Sequence, residues 1–145
     1  MKKWFLVITV LTVILSGMSC AKKPIPPAAI SEIYALSEAQ TWHYGKYVQV
    51  KAVEDRGEFC YIMIYIKSLP TEETTLKDAL DKAKVFTRTF TENAVKILKN
   101  HNIDKDVSVW AQLLLKDGQV NVLGHTRYEG HTFHDFEVYD TKGTK

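Results

Sequence analysis

Several residue patterns that carry catalysis or nucleic-acid binding are missing from this chain. It has two cysteines in 145 residues, and it contains no HExxH motif, no GxSxG motif and no glycine-rich phosphate loop. It also lacks zinc-finger spacing and any cluster of arginines, which nucleic-acid binding proteins use to neutralise phosphates. The sequence therefore favours a protein that is not an enzyme, that needs no cofactor and that does not bind nucleic acid.

No apolar run in the sequence is long enough to cross a bilayer, which takes roughly 20 residues in a helix. A shorter run does occur near the start, where two lysines precede residues 4–15, which are apolar except for two threonines. A basic start, a short apolar run and then small residues are typical of a secretory signal peptide. We therefore expect residues 1–19 to be removed on export.

The residues after this run resemble the lipobox of bacterial lipoproteins. Ser19 is a small residue directly before Cys20, and Leu15 lies upstream. The resemblance implies lipidation of Cys20, including palmitate, and attachment to a membrane of the cell envelope. Ala21 in place of aspartate implies the outer membrane, facing the periplasm. The alternative is ordinary cleavage after Ser19 or Ala21, which would release a soluble periplasmic domain; cleavage after Ser19 would retain Cys20, which could then pair with Cys60.

A proline-rich segment separates this signal from the rest of the chain. Residues 21–29 read AKKPIPPAA, and their three prolines favour an extended tether. We expect residues 20–29 to hold the lipid-attachment site and the tether, and residues 30–145 to form a single domain.

Loss of the signal removes two lysines and no acidic residue, so 17 basic and 17 acidic side chains remain. This neutral balance also argues against nucleic-acid binding.

Turn residues predict two β-hairpins. Asp117-Gly118 favours a two-residue type I′ turn, and Asp55-Arg56-Gly57 favours a three-residue loop with a left-handed glycine. These turns fix which residues face each other on the paired strands. The first hairpin is predicted to pair Ala52 with Cys60, Val50 with Ile62 and Val48 with Ile64; the second, Leu115 with Val120, Leu113 with Val122, Ala111 with Gly124, Val109 with Thr126 and Val107 with Tyr128.

One long amphipathic helix is predicted between the hairpins. Its apolar residues recur at steps of three and four from Leu76 to Leu98, and Asn100 to Asn102 can close it. A short helix within 30–41 and a last strand over 132–140, burying Phe136 and Val138, complete the pattern. The order β-β-α-β-β-β predicts a two-layer α+β fold, with an antiparallel sheet of about five strands and the helix packed on one face.

The predicted registers place an aromatic surface on the other face of the sheet. Either residues 30–42 or a second copy of the chain covers this surface, or it binds a partner, since aromatic residues and methionine are enriched at interfaces. The partner would be another envelope protein, or the chain itself. The candidate binding residues are Tyr47, Tyr61, Met63, Tyr65, Trp110 and His125, and the same registers put Val53 opposite Phe59 on this face.

Other chemistry has little support in the sequence. His125, His131 and His134 are of a type that zinc uses, but their spacing does not require them to converge, so we assign no metal site. Cys60 falls on the inward face of a core strand, which indicates a buried thiol rather than a nucleophile. The function predicted is therefore a lipid-anchored protein-interaction module of the envelope. The alternatives are a periplasmic domain that binds a small ligand or a glycan, and a metal-dependent hydrolase.

Overall fold

The computed structural model describes residues 22–38, 47–67 and 76–139, in which two helices lie on one side of a mixed sheet. The predicted signal peptide, Cys20 and Trp42 lie outside these ranges. The α+β class, with one long helix packed against the sheet, is confirmed. The elements are α1 (Pro27–Ala35), β1 (Val48–Arg56), β2 (Phe59–Lys67), α2 (Leu76–Asn100), β3 (Asp106–Leu114), β4 (Val120–Glu129), β5 (Thr132–Phe133) and β6 (Glu137–Val138).

The sheet is not antiparallel throughout, because its two central strands run parallel. The strand order is β1-β2-β3-β4-β5, with β6 also paired to β4, and Phe59 of β2 lies beside Asp106 of β3. The connection between β2 and β3 contains the 25-residue helix α2, which carries the chain back to the end where β2 began. A strand that follows such a crossover runs parallel to its neighbour. Because β3 follows this crossover and lies next to β2, the two strands pair in parallel.

The first hairpin has a different register from the predicted one. Its turn contains two residues, Gly57 and Glu58, between the paired Arg56 and Phe59, and Gly57 has φ +72° as the first residue of a two-residue turn can require. A β-bulge between Val50 and Ala52 then shifts the register again. In consequence Val50 faces Ile64 and Val48 faces Ile66. Val53 faces Ile62 on the helix side, whereas the predicted register placed it opposite Phe59 on the outer side.

The second hairpin keeps the predicted register over its inner half only. Its loop has three residues, because Asp117 accepts a hydrogen bond from the Gln119 N–H (3.0 Å) and only Gly118 has positive φ, +83°. The extra loop residue is compensated by a bulge at Leu123. The pairs from Ala111–Gly124 to Val107–Tyr128 are thus confirmed, whereas Gln112 faces Val122, Leu113 faces Asn121 and Leu114 faces Val120.

The long helix α2 forms the core with the inner face of the sheet. Its buried side chains follow the predicted stripe and include Phe90, which is fully buried, although Leu76 at the start is 63% exposed. The helix ends as expected: Asn102 is left-handed (φ 56°), and the Ile103 N–H donates to the Leu98 carbonyl at 2.9 Å. This bond satisfies a carbonyl of the last turn that has no partner inside the helix.

The N-terminal segment joins the same core. Helix α1 begins at Pro27 and ends at Ala35, so it starts earlier than the predicted 30–41 segment, and it packs against α2 and β1. Ala29 and Ile33 are fully buried, and Ile25 is 6% exposed. The packed domain therefore starts within the segment that the sequence assigned to the tether.

The predicted last strand is divided into the short strands β5 and β6. Both pair with the edge of β4, and residues 134–136 separate them. Phe136 packs on the core over Gly124, where an added Cβ would lie 2.6 Å from the ring. Val138 was predicted to be buried but is 55% exposed, because among the described residues no further strand lies beside it at this edge of the sheet.

Candidate functional site

Nine half-buried side chains form a regular grid on the sheet face that points away from the helices. They come from alternate positions of β2 and β3 and, apart from the bulge at Leu123, of β4, and the residues between them are buried on the helix side of the sheet. We call this surface the outer grid. Its three rows across the strands are Tyr61, Ser108 and Arg127; Met63, Trp110 and His125; and Tyr65, Gln112 and Val122.

Five of the six predicted binding residues lie in the outer grid, and Tyr47 does not. The ring of Tyr47 packs against the core, with Nζ of Lys82 from α2 at 5.1 Å from its centroid, so it lies on the helix side.

Four members of the outer grid were not predicted as site residues. One is Val122, which was expected to pair with Leu113 and which the bulge at Leu123 places opposite Gln112 instead. The other three are Arg127, Gln112 and Ser108. The alternation of β3 marked the last two as outward-facing, but only the parallel pairing of β2 and β3 sets them beside the tyrosines.

Trp110 is the centre of the outer grid. Its ring stacks on that of His125, with centroids 4.3 Å apart and planes inclined by 14°, and Tyr139 meets it edge-on at 6.2 Å. The stacked arrangement is possible because Trp110 and His125 are directly paired on antiparallel strands. A rigid indole at the middle of the face results.

Cations from β1 lie over the two tyrosines. The guanidinium of Arg56 is 3.9 Å from the ring centroid of Tyr61, and Nζ of Lys51 is 5.8 Å from that of Tyr65. Arg56 is also paired with Glu54 at 2.7 Å. Contacts of this kind orient a ring while leaving part of it accessible. Partial burial also raises the pKa of Tyr61, so its hydroxyl stays protonated at neutral pH.

Two grid residues of β4, Arg127 and His125, contact Glu137 of β6. Arg127 donates to Glu137 at 2.6 Å, which raises the pKa of the arginine and lowers that of the glutamate. Partial burial lowers the pKa of His125 despite the nearby Glu137, so the imidazole is neutral at neutral pH. Nδ1 of His125 and Nε of Arg127 are buried and have no hydrogen-bond partner in the described part of the chain. Such groups are uncommon in folded proteins.

A shallow groove of about 550 Å³ crosses the outer grid. Aromatic rings form much of its surface, and arginine, amide, hydroxyl and imidazole groups are interspersed among them. This combination suits non-covalent recognition, in which rings provide contact area and polar groups fix orientation. The groove is lined by Arg56, Phe59, Tyr61, Ser108, Trp110, Gln112, Val122, His125, Arg127 and Tyr139.

The described helices leave this face uncovered. Residues 30–38, the described part of the segment predicted to cover it, belong to α1 and its C-terminal turn, and α1 packs against α2 and β1. Tyr34 fixes the helix there, since its hydroxyl accepts a hydrogen bond from the Val53 N–H at 3.2 Å. The N-terminal helix is therefore a second element of the helix layer.

The three candidate zinc residues do not come together. His125 stacks on Trp110 in the outer grid, His131 lies in the β4–β5 turn beside Tyr128, and His134 faces a separate pocket beside Lys84 and Arg88. Within residues 22–38, 47–67 and 76–139, no three His, Cys, Asp or Glu side chains form a cluster that could hold a metal ion.

Cys60 is a fully buried thiol of β2. Burial raises its pKa to about 12, and the negative charge of Asp55 acts in the same direction. A thiol in this state is a poor nucleophile at neutral pH. The alternative disulfide with Cys20 falls outside the described residues.

None of the described helices is both long and apolar enough to span a bilayer.

Comparison with known proteins adds no family to these observations. No protein-family model matches the chain, and neither a curated protein nor a solved structure was found to be similar to it.

Proposed function

We propose that this chain is a lipid-anchored protein of the bacterial cell envelope that binds another protein through the outer grid and catalyses no reaction. The observation that carries the proposal is the centre of the grid, where three aromatic rings and a methionine lie on a face that the described helices do not cover; these residues are Trp110, Tyr61, Tyr65 and Met63. Tryptophan, tyrosine and arginine contribute most of the binding energy at protein interfaces, and methionine is enriched there.

The shape of the surface favours a protein partner. Three strands about 4.8 Å apart present a broad and only shallowly grooved face, and its rings are held by neighbouring cations and by the Trp110–His125 stack. Side chains held in this way lose little freedom on binding, which reduces the entropic cost of association. A side chain of the partner would occupy the groove while the surrounding residues exclude water.

The proposal is tested by crosslinking in native membranes, followed by affinity measurements with the captured protein. Trp110→Ala should weaken binding by about 2 kcal/mol or more, as interface aromatics do. Val85→Ala is the matched control, because Val85 is an exposed apolar residue of α2 on the other side of the domain. Equal affinities for the two variants would exclude the outer grid as the interface.

Saccharide binding is a second candidate, favoured by three residues that follow one another on the outer side of β3: Ser108, Trp110 and Gln112. Sugars stack on aromatic rings and bind through hydroxyl and amide groups, and these three side chains offer that combination. Co-sedimentation with peptidoglycan separates the two candidates. Binding that is lost in Trp110→Ala and in Gln112→Ala would favour the glycan over a protein partner.

The anchor is tested at Cys20. Cys20→Ser should abolish partitioning into the detergent phase and leave a soluble or unprocessed form, because the acyl chains supply the membrane affinity. Labelled palmitate should enter the wild type and not the variant. Failure of the label to enter the wild type would disprove lipidation.

A further inference from the structure

The segment that leads from the proposed anchor into the domain is fixed to one end of the sheet. The Ile25 N–H donates to Oδ2 of Asp55 at 2.8 Å, and the Ile25 side chain is buried. The other oxygen of Asp55 accepts from Nζ of Lys105 at 2.5 Å and from the Gly57 N–H at 3.1 Å. The Lys105 side chain is 1% exposed, so its charge requires this carboxylate.

A second contact continues this attachment toward the N-terminus. Nζ of Lys22 lies 3.4 Å from Glu58 in the turn of the first hairpin. Helix α1 begins at Pro27, two residues after Ile25. The described residues before α1 therefore lie along the hairpin turn.

The hairpin turn belongs to an end of the domain where several connections meet. The Glu58 carbonyl accepts from the Asp106 N–H at 3.3 Å, and the Asp106 carboxylate accepts from the Gly130 N–H at 3.1 Å. We call this the Asp55 end. The opposite end, the far end, carries the Lys116–Gly118 loop. The two ends are separated by strands of nine residues, which span roughly 30 Å.

We infer that the Asp55 end of the domain faces the lipid bilayer and that the far end projects away from it. The inference rests on the proposed lipidation of Cys20. Five peptide steps from Cys20 to Ile25 span at most about 18 Å, which is less than the length of the strands. When the strands stand roughly perpendicular to the membrane, a tether of this length allows the Asp55 end, but not the far end, to lie against the bilayer. The outer grid then faces sideways, toward partners that lie beside the domain at the membrane.

The test uses the full lipidated protein in phosphatidylcholine vesicles that contain a nitroxide-headgroup lipid. Asp104→Cys and Asp117→Cys place a fluorophore at the Asp55 end, next to Lys105, and at the far end, both at exposed positions. Buried Cys60 remains unlabelled in the folded protein. Quenching should be severalfold stronger at position 104 than at position 117, whereas equal quenching at both positions would overturn the inference.

A spacer variant serves as the control for the tether. Inserting a Gly/Ser segment of about 20 residues between Ala21 and Lys22 adds roughly 25 Å of flexible reach and leaves the contacts at Asp55 intact. The quenching difference should then largely disappear, and a difference that persists would contradict orientation by the tether. Co-sedimentation of the protein with the vesicles is recorded separately. Its loss would disprove lipid anchoring itself, while equal quenching of bound protein would overturn only the orientation.

Discussion

The hydroxyl groups of Thr87 and Thr126 lie 2.6 Å apart inside the interface between α2 and β4. Both residues are buried, and Oγ1 of Thr87 also donates to the Ala83 carbonyl at 2.7 Å. Loss of Thr87 therefore takes a hydrogen-bond partner from the Thr126 hydroxyl, whereas loss of Thr126 leaves the Thr87 hydroxyl bonded to Ala83. We expect Thr126→Val to cost about 1 kcal/mol and Thr87→Val to cost about 1 to 3 kcal/mol, since it leaves a buried hydroxyl without this partner.

The double variant tests this coupling. Thr87→Val combined with Thr126→Val should cost less than the sum of the single substitutions, because no hydroxyl is left unpaired at the site. Urea unfolding of the four proteins gives the free energies. Additive effects would show that the two hydroxyls do not stabilise each other.

Phe90 should be the most sensitive position of the long helix. Its ring is fully buried against the sheet, so Phe90→Ala should lower the free energy of unfolding by about 3 to 5 kcal/mol through lost burial and a cavity. Lys84→Ala, on the exposed side of the same helix, should cost less than about 0.5 kcal/mol. Thermal unfolding of both variants makes the comparison, and equal melting temperatures would be inconsistent with the packing of α2.

Acid should weaken the attachment at Asp55. Burial raises the pKa of this carboxyl, but the hydrogen bonds from Lys105, Ile25 and Gly57 outweigh that effect and lower the pKa below its ordinary value. The ionised form therefore stabilises the fold above pH 4, and this contribution is lost as the pH falls through the lowered pKa. The difference in stability between wild type and Asp55→Asn should shrink below about pH 4. A difference that does not change between pH 7 and pH 3 would contradict this account.

The rings of the outer grid should matter little for folding. Tyr61 and Tyr65 are half-buried, so replacing either by alanine should cost about 1 kcal/mol. Trp110→Ala should cost about 1 to 2 kcal/mol because it also removes the stack on His125. Urea unfolding of the isolated domain measures these values. Losses near those of Phe90→Ala would indicate that the face is covered in the folded chain.

Alternation along the strands was sufficient to predict which side of the sheet most residues occupy. Ile62, Ile64 and Val109 face the core, while Tyr61 and Trp110 face outward. A period of two determines sidedness even when the register is wrong by two residues, because such a shift returns each side chain to the same face. For the same reason, five of the six predicted binding residues share one surface.

The errors arose where the chain departs from strict alternation. At Lys51 and Leu123 the strands contain an extra residue, and hydrophobic pattern alone does not show where a bulge lies. Asp117 tolerates positive φ but used its side chain to cap the Gln119 N–H instead, which lengthened the loop. The parallel pairing of β2 with β3 depends on contacts between strands far apart in sequence, and neither turn chemistry nor periodicity reports these.

The bulge at Leu123 has a consequence for modifying the protein. Because it absorbs the difference in length between the two strands, we expect changes in the Lys116–Gly118 loop to alter only the outermost pairs, from Gln112–Val122 outward. Trp110 and His125 lie on the other side of the bulge and keep their stacked arrangement. This loop is thus a suitable place for an epitope or a fluorescent reporter, which would leave the aromatic centre undisturbed and would follow the protein in living cells.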